Sequence, residues 1–231
     1  MSAAAEPIPA FLDNKTVDFP DGTCYVLLDP LTNYRSCHDG TPSESRMVFA
    51  CKSAANDEEY IMKVKVQLPA EGQPPVEGPS STTAAELVAL EKFRDAKLTC
   101  APHLVSFKKV PQGSEFPFPG GFVTYTVMTK MPGSSLFGTY WNMPGGEREA
   151  IVKGALDALR SIYALGIEPV DRGMRNVIWD PTTKHCSIID FELWNEVSET
   201  FKDDTQEMQR WGLVRRPPPK DWFMEWAYQY R

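Results

Sequence analysis

Residues 59–68, EYIMKVKVQL, alternate with period two. Met62, Val64, Val66 and Leu68 fall on one side; Ile61, Lys63, Lys65 and Gln67 fall on the other. That is the pattern of a strand with one apolar face. Shorter apolar runs at 24–28 (CYVLL) and 46–52 (RMVFACK) predict two earlier strands, joined by a polar, turn-like stretch. After 68 the pattern lapses into a proline-rich loop, LPAEGQPPVEGPSS. A helical pattern then starts behind Ser and Thr residues. Thr83 with Glu86 three residues on matches a capping box; Leu87, Leu90 and Arg94 share one stripe and Glu86, Leu90 and Phe93 the neighbouring one. The helix must end before Ala101-Pro102. Residues 103–110 and 121–130 read as two more strands, and Met131-Pro132-Gly133 breaks the second.

The second half changes period. Val152, Ala155, Leu156, Leu159, Ile162 and Tyr163 share one face of a helix with an acidic start and a stop at Gly166. A loop (IEPVDRGMRN), a short strand (NVIW), a turn and an apolar strand (CSIIDFELW) follow, then a Trp/Tyr-rich end. Residues 215–220, RRPPPK, read as an extended polyproline-type segment. The order of elements is that of an α+β fold in two lobes. Its divisions are an N-terminal extension (1–23), a five-stranded sheet with one helix (24–131) and a shortened helical part (132–231).

Composition narrows the class. The chain has 231 residues, 42% hydrophobic and 24% charged, with no run of about 20 apolar residues for a membrane span. Its net charge of −7 counts against a general nucleic-acid coat. Five widely spaced cysteines without a CxxC argue against structural zinc and fit reduced thiols in the cytoplasm. The start, MSAAAEPIPAFLDNK, lacks the charged and apolar regions of a signal peptide.

Five features, in order, resemble a protein kinase-like fold: Lys63 on the third strand, Glu86 on the next helix, VMTKMPG as the connection between lobes, Asp171 and Asn176 at D-x-x-x-x-N spacing in DRGMRN, and Asp190-Phe191-Glu192 in the position of a metal-binding DFG. The resemblance implies Lys63 against phosphate, Asp171 as base or orienting group, and Asn176 with Asp190 as a metal site for ATP and Mg²⁺. It departs at three points. No glycine-rich loop lies between the first strands, Pro169-Val170 precede Asp171, and Glu192 replaces a glycine. The 39 residues after Glu192 leave little room for substrate-binding helices, so the C-terminal lobe reads as truncated. The plain structural alternative also stands: a strand lysine with a helix glutamate is often only an ion pair, and Asp190 or Asp171 can be turn residues. Met128 and Met131 read as core and hinge packing, and Trp194, Trp211, Trp222 and Trp226 as cover for a small lobe.

Asp171, Asp190 and Glu192 together form an acidic trio that would need a compensating cation. TAAELVALEKF, GGFVTYTVMTKMPG, the string at Pro169–Asp180 and IIDFE resemble a more specific group: small fungal proteins of degenerate kinase-like fold, including the fungal arginine-containing cyclodipeptide synthases of secondary metabolism. That resemblance implies an aminoacyl-tRNA-dependent transferase that joins arginine to a second amino acid and needs no cofactor. Asp190 and Glu192 would then bind arginine, and Arg172, Arg175, Arg215, Arg216 and Lys220 would supply a local basic patch for tRNA. The alternatives are an ATP/Mg²⁺-dependent phosphotransferase acting on a small cationic molecule, and a non-catalytic interaction module of pseudokinase type.

Overall fold

The alternation on the third predicted strand organises the first half of the chain. The computed structural model describes residues 9–12, 16–37 and 40–216. Seven strands form one antiparallel sheet: β1 (Thr16–Asp18), β2 (Cys24–Pro30), β3 (Arg35–Cys37), β4 (Glu44–Ser53), β5 (Glu59–Gln67), β6 (Leu104–Pro111) and β7 (Phe122–Thr129). Their order is β1-β2-β4-β5-β7-β6, with β3 paired to β4. Two of the seven were not expected. β1 lies inside the stretch read as an N-terminal extension, where Val17 and Phe19 are buried. β3 lies inside the polar connection, whose few apolar residues give no alternation to read.

Met62, Val64 and Val66 pack with Met47, Phe49, Cys51, Val123 and Val127 in a core on the outer face of this sheet. The opposite face is polar, as the alternation requires, but it is not solvent-exposed. Lys63, Lys65, Gln67, Thr124 and Thr126 are all buried. Burying so many polar groups requires partners, and the partners come from α1 (Ser81–Asp95) and the second half of the chain.

The start of α1 differs from the capping box read in the sequence. Ser80 is the N-cap, its Oγ accepting from the Thr83 N–H, and Thr83 lies within the first turn. A buried carboxylate on β4 explains the shift. Glu44, 2% exposed, accepts from the Ser80 N–H at 3.1 Å, Ser80 Oγ at 2.6 Å and Thr83 Oγ1 at 2.8 Å. The segment before β4 docks on the same helix end, since Ser81 N–H donates to the Thr41 carbonyl and Thr41 N–H to Ser81 Oγ. Gly40 is needed there, because a Cβ would stand 2.8 Å from Thr82 Oγ1. Ser80→Ala loses the cap, typically about 1 kcal/mol, and strips the Ser80 hydroxyl donor from a buried carboxylate, about 1–3 kcal/mol more. Urea denaturation should therefore show a loss of roughly 2–4 kcal/mol.

The second half contains β8 (Ser134–Ser135), α2 (Gly145–Tyr163), β9 (Ile167–Pro169), β10 (Val177–Asp180), β11 (His185–Ile188), β12 (Trp194–Glu196) and α3 (Asp204–Arg210). β10 pairs with β8 and β11, and β12 with β9. Ile151, Ala155, Ala158, Leu159, Ile162 and Tyr163 of α2 are buried, while Val152 and Leu156 lie at the margin of the core. This core also takes Leu90 and Phe93 of α1, Met128 of β7, Phe191 and Trp211. Gly133 adopts φ +101°, and any Cβ would lie 2.1 Å from the Trp179 carbonyl oxygen, so only glycine fits beside β10. The run CSIIDFELW is not one strand: β11 stops at Ile188, Asp190 turns the chain at φ +68°, and β12 resumes at Trp194. Trp194 donates to the Ala85 carbonyl and Trp211 to Glu207. Pro217 to Lys220, Trp222 and Trp226 lie outside the described residues. All five cysteines are free, and no described helix is long and apolar enough to cross a membrane.

Candidate functional site

β5 is the base of the site. Residues at i and i+2 of a strand share a face, so Lys63 and Lys65 both project inward. Register adds a third cation: Arg46 on β4 stands directly opposite Lys65. On the other side β7 sets Thr126 opposite Lys63 and Thr124 opposite Lys65. Like charges facing each other across a ladder repel, so the array requires anions.

Three carboxylates supply them. Lys63 Nζ lies 2.5 Å from Glu86 Oε1, 2.9 Å from Glu192 Oε1 and 3.2 Å from Asp190 Oδ1. Arg46 donates to Glu192 and stands 3.9 Å from Asp190. Lys65 lies 3.1 Å from Glu192 and 3.7 Å from Glu44. The left-handed turn at Asp190 makes this possible. It aims Asp190 and Glu192 at Lys63 while Phe191 is buried against Phe93, ring centroids 4.6 Å apart. Aspartate tolerates that conformation better than most residues.

The acidic trio therefore differs from the one read in the sequence. Asp190 and Glu192 cluster with Glu86, their oxygen atoms within 4.8 Å of one another. Asp171 pairs instead with Arg175 and accepts from Asn176 Nδ2 at 3.2 Å. Nor do Asp190 and Glu192 present free carboxylates to an arginine substrate, because the chain's own Arg46 takes that role. Arg172, expected at a tRNA surface, turns inward: it donates to Glu207 at 2.9 Å, to Glu168 at 2.5 Å and to the Tyr163 hydroxyl at 3.1 Å. Arg175 is about half exposed and is held by Asp171. Arg215 stacks over Trp141 at 4.9 Å. Arg46, Lys65 and Glu44 escaped the sequence reading. Lys65 was legible from its spacing to Lys63, whereas Arg46 and Glu44 needed the register.

Burial alone would lower the Lys63 ammonium, but Asp190, Glu86 and Glu192 hold it above its ordinary value. Burial alone would raise the Glu192 carboxyl, yet the charges of Lys63, Lys65 and Arg46 hold it well below the carboxylate range. Glu86 goes the other way, since burial raises it and Lys63 only partly offsets that.

The fit of a metal ion depends on where it would sit. Between Glu86, Asp190 and Glu192 it does not fit, because the Lys63 ammonium already occupies that position. Asp190 with the side-chain oxygen of Asn176 is a hard-oxygen pair suited to Mg²⁺. Their backbones are neighbours, since the Ile189 N–H donates to the Asn176 carbonyl.

No family model and no curated protein matches the chain. Among solved structures it resembles the Cydia pomonella granulovirus kinase PK-1, with a TM-score of 0.51 and 17% identity over 78% of this chain and 55% of the viral one. The fold is kinase-like. The chain spans about half the length of that kinase. Lys63 lies on a central strand of the sheet and Glu86 on the helix that follows it, in direct contact.

Acid should weaken the protein in a defined direction. A carboxyl whose folded value is depressed contributes stability above its unfolded value, about 4.3 for glutamate, and loses it as pH falls toward the folded value. Glu192 behaves so, as does Glu168, where burial is outweighed by hydrogen bonds from Arg172 and Asn195 and by the Arg172 charge. The raised Glu86 has the opposite slope in a higher window: it favours the fold as pH falls toward about 4.3 and adds nothing to the slope below that. Melting temperature should fall steadily below about pH 4.3, and Glu192→Gln should flatten that decline. Parallel curves would show that Glu192 carries none of it.

Proposed function

We propose that this chain is a phosphotransferase of kinase-like, two-lobed fold with a shortened second lobe, using ATP to modify a small cationic molecule. The supporting observation is the Lys63 ammonium, 2.5 Å from Glu86 on α1 and 3.2 Å from Asp190 at the turn, which joins the sheet to the second half of the chain. Phosphoryl transfer asks little covalent chemistry of a protein; it needs cations against phosphate oxygens and a group to orient the nucleophile. Lys63 serves the first need. Asp171, about one-third exposed and steadied by Asn176, accepts the nucleophile's proton and attracts a cationic substrate. Mg²⁺ on Asp190 and Asn176 would neutralise phosphate charge. Binding linkage gives the test. Millimolar ATP·Mg²⁺ should raise the melting temperature of the parent protein and not that of an Asp190→Asn variant. No shift in the parent would sink the reading.

A second reading, aminoacyl-tRNA-dependent cyclodipeptide synthesis with arginine, is favoured by one surface. Trp141 is flanked by Arg148 at 5.6 Å and Arg215 at 4.9 Å. Nearby Phe137 is 72% exposed, and its N–H donates to Ser135 Oγ, which itself donates to the Arg175 carbonyl beside Asp171. Exposed aromatics with arginines form stacking platforms for single-stranded nucleic acid. Charged arginyl-tRNA without ATP should then yield arginine-containing diketopiperazines detectable by mass spectrometry. Their absence, with a second charged tRNA supplied, would reject it.

A further inference from the structure

We infer that Arg46, Lys63 and Lys65 form an oxyanion subsite on the inward face of β4 and β5, and that Glu192 is a tethered anion that occupies it until a phosphate-bearing ligand displaces the carboxylate. This rests on the phosphotransferase reading for the identity of the ligand.

The subsite is built. Side-chain exposures are 12% for Arg46, 7% for Lys63 and 3% for Lys65. Their convergence is enforced by the sheet, since Arg46 and Lys65 are register partners and Lys63 is two residues along the same strand. Three cations held this close repel strongly in a poorly solvated site. The carboxylate they share is Glu192, which contacts all three.

Two groups on this face point to a ligand larger than one carboxylate. Among the described residues, Lys65 Nζ and Thr124 Oγ1 are buried without a hydrogen bond, although Lys65 lies within ion-pair distance of Glu192 and Glu44. Lys65 and Thr124 are themselves register partners on β5 and β7. A carboxylate offers two oxygens. A phosphate offers more oxygens and more charge, so it satisfies all three cations and reaches the donors that Glu192 leaves unmet. Glu44 cannot replace Glu192, since Ser80 and Thr83 already hold it.

The test measures inorganic tripolyphosphate binding without metal, by calorimetry, on the full chain. Glu192→Gln should bind at least about tenfold more tightly than the parent, equivalent to about 1.4 kcal/mol. Adding Arg46→Gln to that variant should reverse the gain. Equal or weaker binding by a folded Glu192→Gln protein would overturn the inference, as would a gain that survives loss of Arg46. If Glu192→Gln does not fold, Glu192→Asp keeps the charge but retracts it by one methylene and should shift affinity in the same direction. A folded Glu192→Asp protein with unchanged affinity overturns the inference, and so does failure of both to fold alongside a parent that binds no tripolyphosphate. The parent's ATP turnover separates this inference from the functional reading. Turnover without a gain in Glu192→Gln rejects the tethered anion alone. A gain without turnover in any variant rejects the phosphotransferase alone.

Discussion

A Lys63→Met protein is expected to lose both its activity and about 3–5 kcal/mol of stability. Methionine fills a similar volume, so packing is nearly unchanged. The loss is electrostatic: Glu86, 2% exposed, would face Asp190 and Glu192 without the ammonium that separates them. Removing one member of a buried ion pair strands the other, whereas replacing both with apolar groups is often neutral. Lys63→Met combined with Glu86→Leu should therefore recover much of the stability and none of the activity. Urea denaturation of both variants, with turnover measured in each, checks the pair. If the double variant is no more stable than the single one, the lysine and glutamate are not coupled.

The other large effect lies in the second half of the chain. Glu207 on α3 is 1% exposed and holds three donors: Arg172 Nε at 2.9 Å, Trp211 Nε1 at 3.0 Å and Arg210 at 3.2 Å. Glu207→Ala leaves the Arg172 guanidinium mostly buried with Glu168 as its remaining carboxylate partner, and leaves the Trp211 indole without its acceptor. The expected cost is again about 3–5 kcal/mol. Glu207→Gln, which keeps an acceptor, should cost less. Unlike the Lys63 variant, folded Glu207→Ala should retain tripolyphosphate affinity, because the residue holds Arg172, next to Asp171, and touches none of the cations on β4 and β5. A change in affinity greater than the change in folded fraction would contradict this.

Much of the central cluster was legible from sequence for a definite reason. The β5 alternation put Lys63 inward, and the α1 stripe placed Glu86 on the following helix. Asp190 followed an apolar run that had to be a buried strand. What escaped depends on register and on single backbone angles. Arg46 becomes a site residue only because it stands opposite Lys65. Asp190 and Glu192 point the same way only because the chain turns left-handed between two apolar runs that look continuous. Asp171 was grouped with them because all three follow short strands, yet Arg175 and Asn176, four and five residues on, are its closer partners. The cap of α1 was displaced by Glu44, a residue far away in sequence. β1 and β3, at three residues each, are too short for periodicity to register.

The junction of β4 with α1 has a consequence for control. Glu44 is bound to Ser80 and Thr83, Thr41 and Ser81 exchange two hydrogen bonds, and Gly40 lies against Thr82. Helix and sheet are thus riveted together at the end of α1 nearest Glu86. A switch that worked by swinging this helix outward would have to tear a buried carboxylate from its donors. Parting Glu86 from Lys63 by moving α1 would therefore break these contacts as well, whereas moving Glu192 would break none of them. In hydrogen exchange, the first turn of α1 and the start of β4 should open as one cooperative unit, with protection lost together.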